Sequence, residues 1–100
     1  MSIEVGRVEE IPSGEGRTFA VDGEQVAVYR MRDGSLRALA AVCPHKGGPL
    51  ADGLLDDSVV VCPLHNMTYD LRSGVETSGS GLSVRAYGVS EIDGTIRIDI

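Results

Sequence analysis

The chain has 100 residues, 42% of them hydrophobic and 24% charged, a balance that fits one folded domain and excludes a disordered chain. Fifteen Asp and Glu against nine Lys and Arg give a formal charge of −6. That argues against a nucleic-acid binder, whose affinity comes from neutralising phosphates; it suits docking on a basic patch of another protein, or plain solubility.

No apolar run approaches the roughly 20 residues that span a bilayer. The stretch Met1 to Val5 lacks the basic and apolar segments of a secretion signal, so a cytoplasmic chain without a membrane anchor is expected. In such a compartment two cysteines favour metal or redox chemistry over a structural disulfide.

In chain order, Asp22-Gly23, Asp33-Gly34 and Asp93-Gly94 each separate runs that alternate with period two, which predicts β-hairpins. The run Gln25 to Arg32 sets Val26 and Val28 on one face and Ala27, Tyr29 and Met31 on the other. Val59 to Val61 reads as a short buried strand. In the run Leu82 to Tyr87, Leu82, Val84 and Ala86 are expected inward, and Ser83, Arg85 and Tyr87 outward. At the C-terminus Ile96, Ile98 and Ile100 alternate with Thr95, Arg97 and Asp99. Helical periodicity is nowhere sustained, so the fold class is all-β, a sandwich or barrel of antiparallel strands. Residues 3–41 and 82–100 are expected to supply the base strands. Residues 43–73, denser in Gly and Pro, form a small inserted subdomain within one domain spanning 1–100. Gly74 to Gly81 reads as a flexible connection back to the base.

The chemistry concentrates in that insert. Both cysteines and both histidines of the chain fall in two short loops, Cys43-Pro44-His45 and Cys62-Pro63-Leu64-His65, with 16 residues between them. Two thiolates and two imidazoles could hold a tetrahedral zinc, or a [2Fe–2S] cluster with Cys₂ on one iron and His₂ on the other. Spacing favours the cluster. One residue separates Cys43 from His45, and extended neighbours at that interval stand about 7 Å apart, which suits ligands to two irons better than to one ion. Pro44 and Pro63 fix their own φ and carry no N–H, while Gly47 and Gly48 let backbone amides approach a sulfur.

These residues resemble the signature of Rieske-type [2Fe–2S] proteins, C-x-H followed by C-x-x-H, here Cys43, His45, Cys62 and His65. The flanks CPHKGGPL, VVCPLHN and YDLRSG are similar as well. They look closest to the small subunit of assimilatory NAD(P)H nitrite reductases; ferredoxins that feed ring-hydroxylating dioxygenases are close relatives. The resemblance implies a Rieske-like fold with an inserted cluster-binding subdomain, one [2Fe–2S] cluster per chain held by those four residues, and one-electron transfer without catalysis by this chain alone. It implies a large redox subunit as partner, carrying the flavin and sirohaem of a nitrite reductase, or else a dioxygenase system. A zinc-stapled binding module without redox chemistry is the third reading.

Departures from the family pattern carry expectations too. Gly48 and Leu64 stand where respiratory members have an extra disulfide, and Met67 stands where those members have a Ser bonded to a sulfide. Fewer donors to the sulfurs imply the low-potential class. Many nitrite reductase small subunits have Trp where Met67 stands. Tyr69 is either a donor to a cluster thiolate or a plain core residue. Leu50, Leu64 and Met67 form either an apolar collar around the imidazole edges or ordinary core, and Lys46 contacts a partner carboxylate or solvent. Neutral imidazoles leave the oxidised site without net charge, so reduction is easier than at a four-cysteine cluster; Rieske-type centres begin near roughly −150 mV, against roughly −400 mV for plant-type ferredoxins. The Cys43/Cys62 iron is expected to stay ferric and the His45/His65 iron to take the electron.

Overall fold

A computed structural model describes residues 2–42, 49–56, 58–63 and 67–99. Six strands form one antiparallel sheet: β1 (Ser2–Arg7), β2 (Glu15–Val21), β3 (Glu24–Arg30), β4 (Leu36–Ala40), β8 (Ala86–Ile92) and β9 (Thr95–Asp99). Their spatial order is β1-β9-β8-β4-β3-β2. A second antiparallel sheet, β5-β6-β7, comprises β5 (Leu54–Leu55), β6 (Val59–Val61) and β7 (Thr68–Asp70). The architecture is all-β, as the turn pattern predicts. The edge strands of the larger sheet approach one another where Gly6 on β1 lies against Phe19 on β2, which curls the sheet into a half-barrel. Among the described residues no helix is long and apolar enough to cross a membrane.

Two of the Asp-Gly pairs make two-residue hairpins. Val21 pairs with Glu24 across Asp22-Gly23, and Ile92 with Thr95 across Asp93-Gly94. Both central residues of each turn have positive φ, the combination that matches the twist of the flanking strands and selects Asp-Gly. The third pair sits in a longer connection, where the Gly34 N–H donates to the Met31 carbonyl and the Met31 N–H to the Ser35 carbonyl.

Both faces of β3 are buried. Val26 and Val28 point into the half-barrel with Leu36, Ala38, Ile96 and Ile98. Ala27, Tyr29 and Met31 point the other way, into a second core shared with Val60, Tyr69 and Leu71 of the small-sheet region. The period-two reading of this run therefore sorts its side chains correctly, and each set has a core of its own.

Tyr87 is the corrected position. Expected outward, it is buried in the half-barrel core, and its hydroxyl donates to Glu24 Oε2 at 2.7 Å. The strand begins at Ala86, not Leu82, and a sheet covered on both faces gives a residue opposite Val84 and Ala86 a second core instead of solvent. The Arg85 guanidinium lies 4.6 Å from the ring centroid and caps the tyrosine from the solvent side.

Gly16 on β2 is where the half-barrel meets the insert. A β-carbon there would stand 2.6 Å from Tyr29 Cδ1 and 2.9 Å from the Ala51 carbonyl oxygen. Gly16→Ala is accordingly expected to destabilise the fold by about 1–3 kcal/mol, the usual cost of overpacking, read as a lower denaturant midpoint at unchanged slope.

Candidate metal centre

Of the four residues singled out by spacing, Cys62 is described; Cys43, His45 and His65 lie outside the described residues, as do Pro44, Lys46, Gly47, Gly48, Leu64 and Ile100. The stems that carry both loops are described. The first is closed by the Leu50 N–H donating to the Ala41 carbonyl at 2.9 Å and by a bridge between Val42 and Pro49. The second is closed by the Cys62 N–H donating to the Met67 carbonyl at 2.7 Å. Ala41, Leu50 and Cys62 share one core, with Met67 packed against it. The described stems on either side of the two motifs thus share a common apolar platform.

Each stem has a cause in the sequence. The Ala41 N–H donates to Gln25 at the start of β3, so the first loop departs from the end of the β3–β4 pair. At its far side, the buried Tyr29 hydroxyl donates to the Leu50 carbonyl at 2.8 Å. Burial first, then electrostatic interaction with Cys62 and with Asp52, push the Tyr29 pKa well above its usual value, so the phenol stays a neutral donor. The β-branched run Val59 to Val61 delivers Cys62 from a strand held on both sides, by β5 and by β7. The Cys62 side chain is fully buried.

Leu50 is core and not collar, with no exposed surface; Met67 is half-buried beside the second stem. Tyr69 is fully buried on β7. The exposed apolar residues that flank the stems are Val42, 51% exposed, and Leu54, 76% exposed.

Glu76 was not legible from the sequence. The segment read as a flexible connection is organised around its carboxylate, which is only 3% exposed. One oxygen accepts from the Ser78 hydroxyl and from the Ser78 and Ser80 N–H groups; the other accepts from the Thr68 N–H at 3.3 Å. The Thr77 N–H also donates to the Thr68 carbonyl, so this segment extends the small sheet beyond β7. The spacing Glu76, Ser78, Ser80 was the available signal, since short polar side chains near a carboxylate build local turns.

Comparison with known proteins comes to the same place. The family model of the Rieske [2Fe–2S] domain matches residues 1–87. The chain belongs to the Rieske [2Fe–2S] family. Its half-barrel superposes on the ferredoxin of carbazole 1,9a-dioxygenase from Nocardioides aromaticivorans IC177 with a TM-score of 0.87 and 32% identity, covering 98% of this chain and 96% of that one. A structure from Mycobacterium tuberculosis, described as a candidate NADH-dependent nitrite reductase small subunit, gives a TM-score of 0.90 at 25% identity, covering 98% and 93%. Among curated proteins, the anthranilate 1,2-dioxygenase ferredoxin subunit of Burkholderia cepacia is 28% identical over 96% of this chain and 89% of its own length. Cholesterol 7-desaturase of Bombyx mori is 32% identical over 94% of this chain, which spans only 22% of that much longer protein.

A Rieske domain binds a [2Fe–2S] cluster, and the residues present fit one. The donor set of the two loops is two thiols and two imidazoles, and the described thiol is dry, at the end of a strand pinned on both sides.

Two outcomes are expected. Tyr29→Phe should lower stability by about 0.5–1.5 kcal/mol, the net worth of a hydrogen bond, seen in denaturant titration. Hydrogen bonds, the Ser78 hydroxyl foremost, bring the Glu76 pKa down from 4.5 to about 2. A depressed carboxylate stabilises the fold fully above the unfolded value and loses that contribution as pH falls through the folded one. The stability advantage of the native protein over Glu76→Gln should therefore shrink between pH 4.5 and about 2, as followed by unfolding midpoints at stepped pH.

Proposed function

We propose that this Rieske domain is a one-electron carrier whose cluster is held by Cys43, His45, Cys62 and His65, with residues 43–73 as the cluster-holding unit. The observation that carries the reading is the pair of loop stems rising from one core, each stem flanking one of the two ligand motifs. The cluster supplies reversible uptake of one electron. The chain's own residues do the rest. Ala41, Leu50 and Cys62 fix the spacing of the stems, Tyr29 locks the first to β3, and the buried core around Cys62 keeps water from the sulfur. Nothing else among the motifs of the sequence supplies substrate chemistry, so the electron passes to a larger oxidoreductase.

For that client we favour the large subunit of an NAD(P)H-dependent nitrite reductase in the cytoplasm. The CPHKGGPL and CPLHN flanks support it, as does the TM-score of 0.90 to the Mycobacterium tuberculosis structure. The second reading, delivery of electrons to a ring-hydroxylating dioxygenase, is supported by the 32% identity with the carbazole dioxygenase ferredoxin over nearly the whole of both chains.

The test is composition first. Anaerobically purified protein is expected to contain about two iron and two acid-labile sulfides per chain, and Cys62→Ser or His65→Ala should abolish the visible absorption of the cluster. One zinc without sulfide would make the four residues a structural staple. Co-purification with a large sirohaem flavoprotein would then support the nitrite reductase client, and reduction of an aromatic-ring oxygenase by the carrier would support the other.

A further inference from the structure

The Glu76 carboxylate holds one end of a peptide group whose other end holds Cys62. The Met67 carbonyl and the Thr68 N–H belong to the same peptide unit. The N–H donates to Glu76 Oε2 at 3.3 Å, and the carbonyl accepts from the Cys62 N–H at 2.7 Å. Two hydrogen bonds thus run in series from a carboxylate to the backbone of Cys62. Bonds in such a chain polarise one another, and an ionised acceptor at its end strengthens them.

The main chain fixes Glu76 in this position. Glu76 bridges Tyr69 on β7. On either side of that bridge, the Asp70 N–H donates to the Val75 carbonyl and the Thr77 N–H to the Thr68 carbonyl. The Glu76 N–H itself donates to the Leu82 carbonyl at 3.0 Å. Among the described residues, the partners of the carboxylate are neutral N–H and O–H groups of Thr68, Ser78 and Ser80. The arginines that pair with glutamates pair with Glu4, Glu9, Glu15 and Glu24. Neutral donors stabilise a negative charge without cancelling it, and in a nearly dry position water screens it poorly.

We propose that Glu76 is a positioning residue of the metal centre: through the Met67–Thr68 peptide its carboxylate fixes the stem at Cys62 and holds the reduction potential of the cluster down. The inference rests on the electron-carrier reading, in which Cys62 is a ligand. An added electron makes the cluster more negative, so a fixed negative charge coupled to one of its ligands opposes reduction.

The chemistry of glutamine supplies a selective test. Three of the four bonds end on Oε1 and one on Oε2. Glutamine has a single acceptor oxygen, which best serves Ser78 and Ser80 and leaves its amide N–H groups facing the Thr68 N–H. Glu76→Gln therefore removes the charge and the bond to the Met67–Thr68 peptide while keeping the local turn.

Potentiometric titration of the holoproteins reads the effect. Glu76→Gln is expected to raise the midpoint, so that the variant cluster is several-fold more reduced at the potential where the native one is half reduced. Asp70→Asn alters a carboxylate of the same strand that accepts instead from the Arg72 and Ser73 N–H groups, and it should leave the midpoint in place. A role confined to folding would lower the stability of Glu76→Gln without moving its potential. The proposal is overturned by an unchanged or lowered midpoint in Glu76→Gln, or by an equal rise in Asp70→Asn. If Glu76→Gln does not fold, redox-difference infrared spectra of native holoprotein with isotope-labelled glutamate decide, because coupling between two sites is reciprocal. A glutamate carboxylate band that moves on reduction is expected, and its absence overturns the proposal. Native protein without the visible absorption of a cluster would instead overturn the electron-carrier reading, and this inference with it.

Discussion

The structure depends on burying both faces of β3. A strand with one wet face would give a half-barrel and nothing more. Here Val26 and Val28 fill the barrel while Ala27, Tyr29 and Met31 build a second core against the insert. At roughly 25 cal/mol per Å² of apolar surface removed from water, a second covered face is a large gain for a chain this small. It also fixes the insert in place, because the same face that supplies the area supplies the Tyr29 hydroxyl that holds Leu50.

From that strand outward the metal centre is a matter of stems. Ala41 follows β4 by hydrogen bonding to Gln25, and Cys62 follows β6. The two stems need no long connection to meet, since Ala41, Leu50 and Cys62 already touch one apolar core. The Glu76 segment adjoins the second stem by gathering N–H groups from Thr68, Ser78 and Ser80 onto one carboxylate. Such a carboxylate is stable in a nearly dry position because hydrogen bonds replace its lost hydration.

What was legible in the sequence follows the range of the signals. The hairpin turns were readable because Asp-Gly answers a local demand for positive φ. The faces of the Gln25 to Arg32 run were readable because alternation is local too. The side on which Tyr87 lies was not, because that depends on what packs against the sheet, and Val8, Ile11, Val21 and Val26 of its core come from the other end of the chain. The ligand motifs stood out by composition, two cysteines and two histidines in two short loops. Glu76 was hidden for the opposite reason: its neighbours are serines and glycines, the residues of a linker, and only the return of the chain past β7 turns them into a ring of donors.

The two cores have different owners. Among the described residues, the barrel core draws on Val8, Ile11, Val21, Leu36, Ile96, Ile98 and their neighbours, and on nothing between positions 43 and 73. The second core mixes strand residues with Leu50, Val60, Cys62 and Tyr69. The barrel core closes only when β8 and β9, from the end of the chain, join strands from its start, and it draws on no described residue of the two ligand motifs. Any strain that a cluster places on its ligands therefore falls first on the second core, where Cys62 lies, and reaches the barrel only through β3.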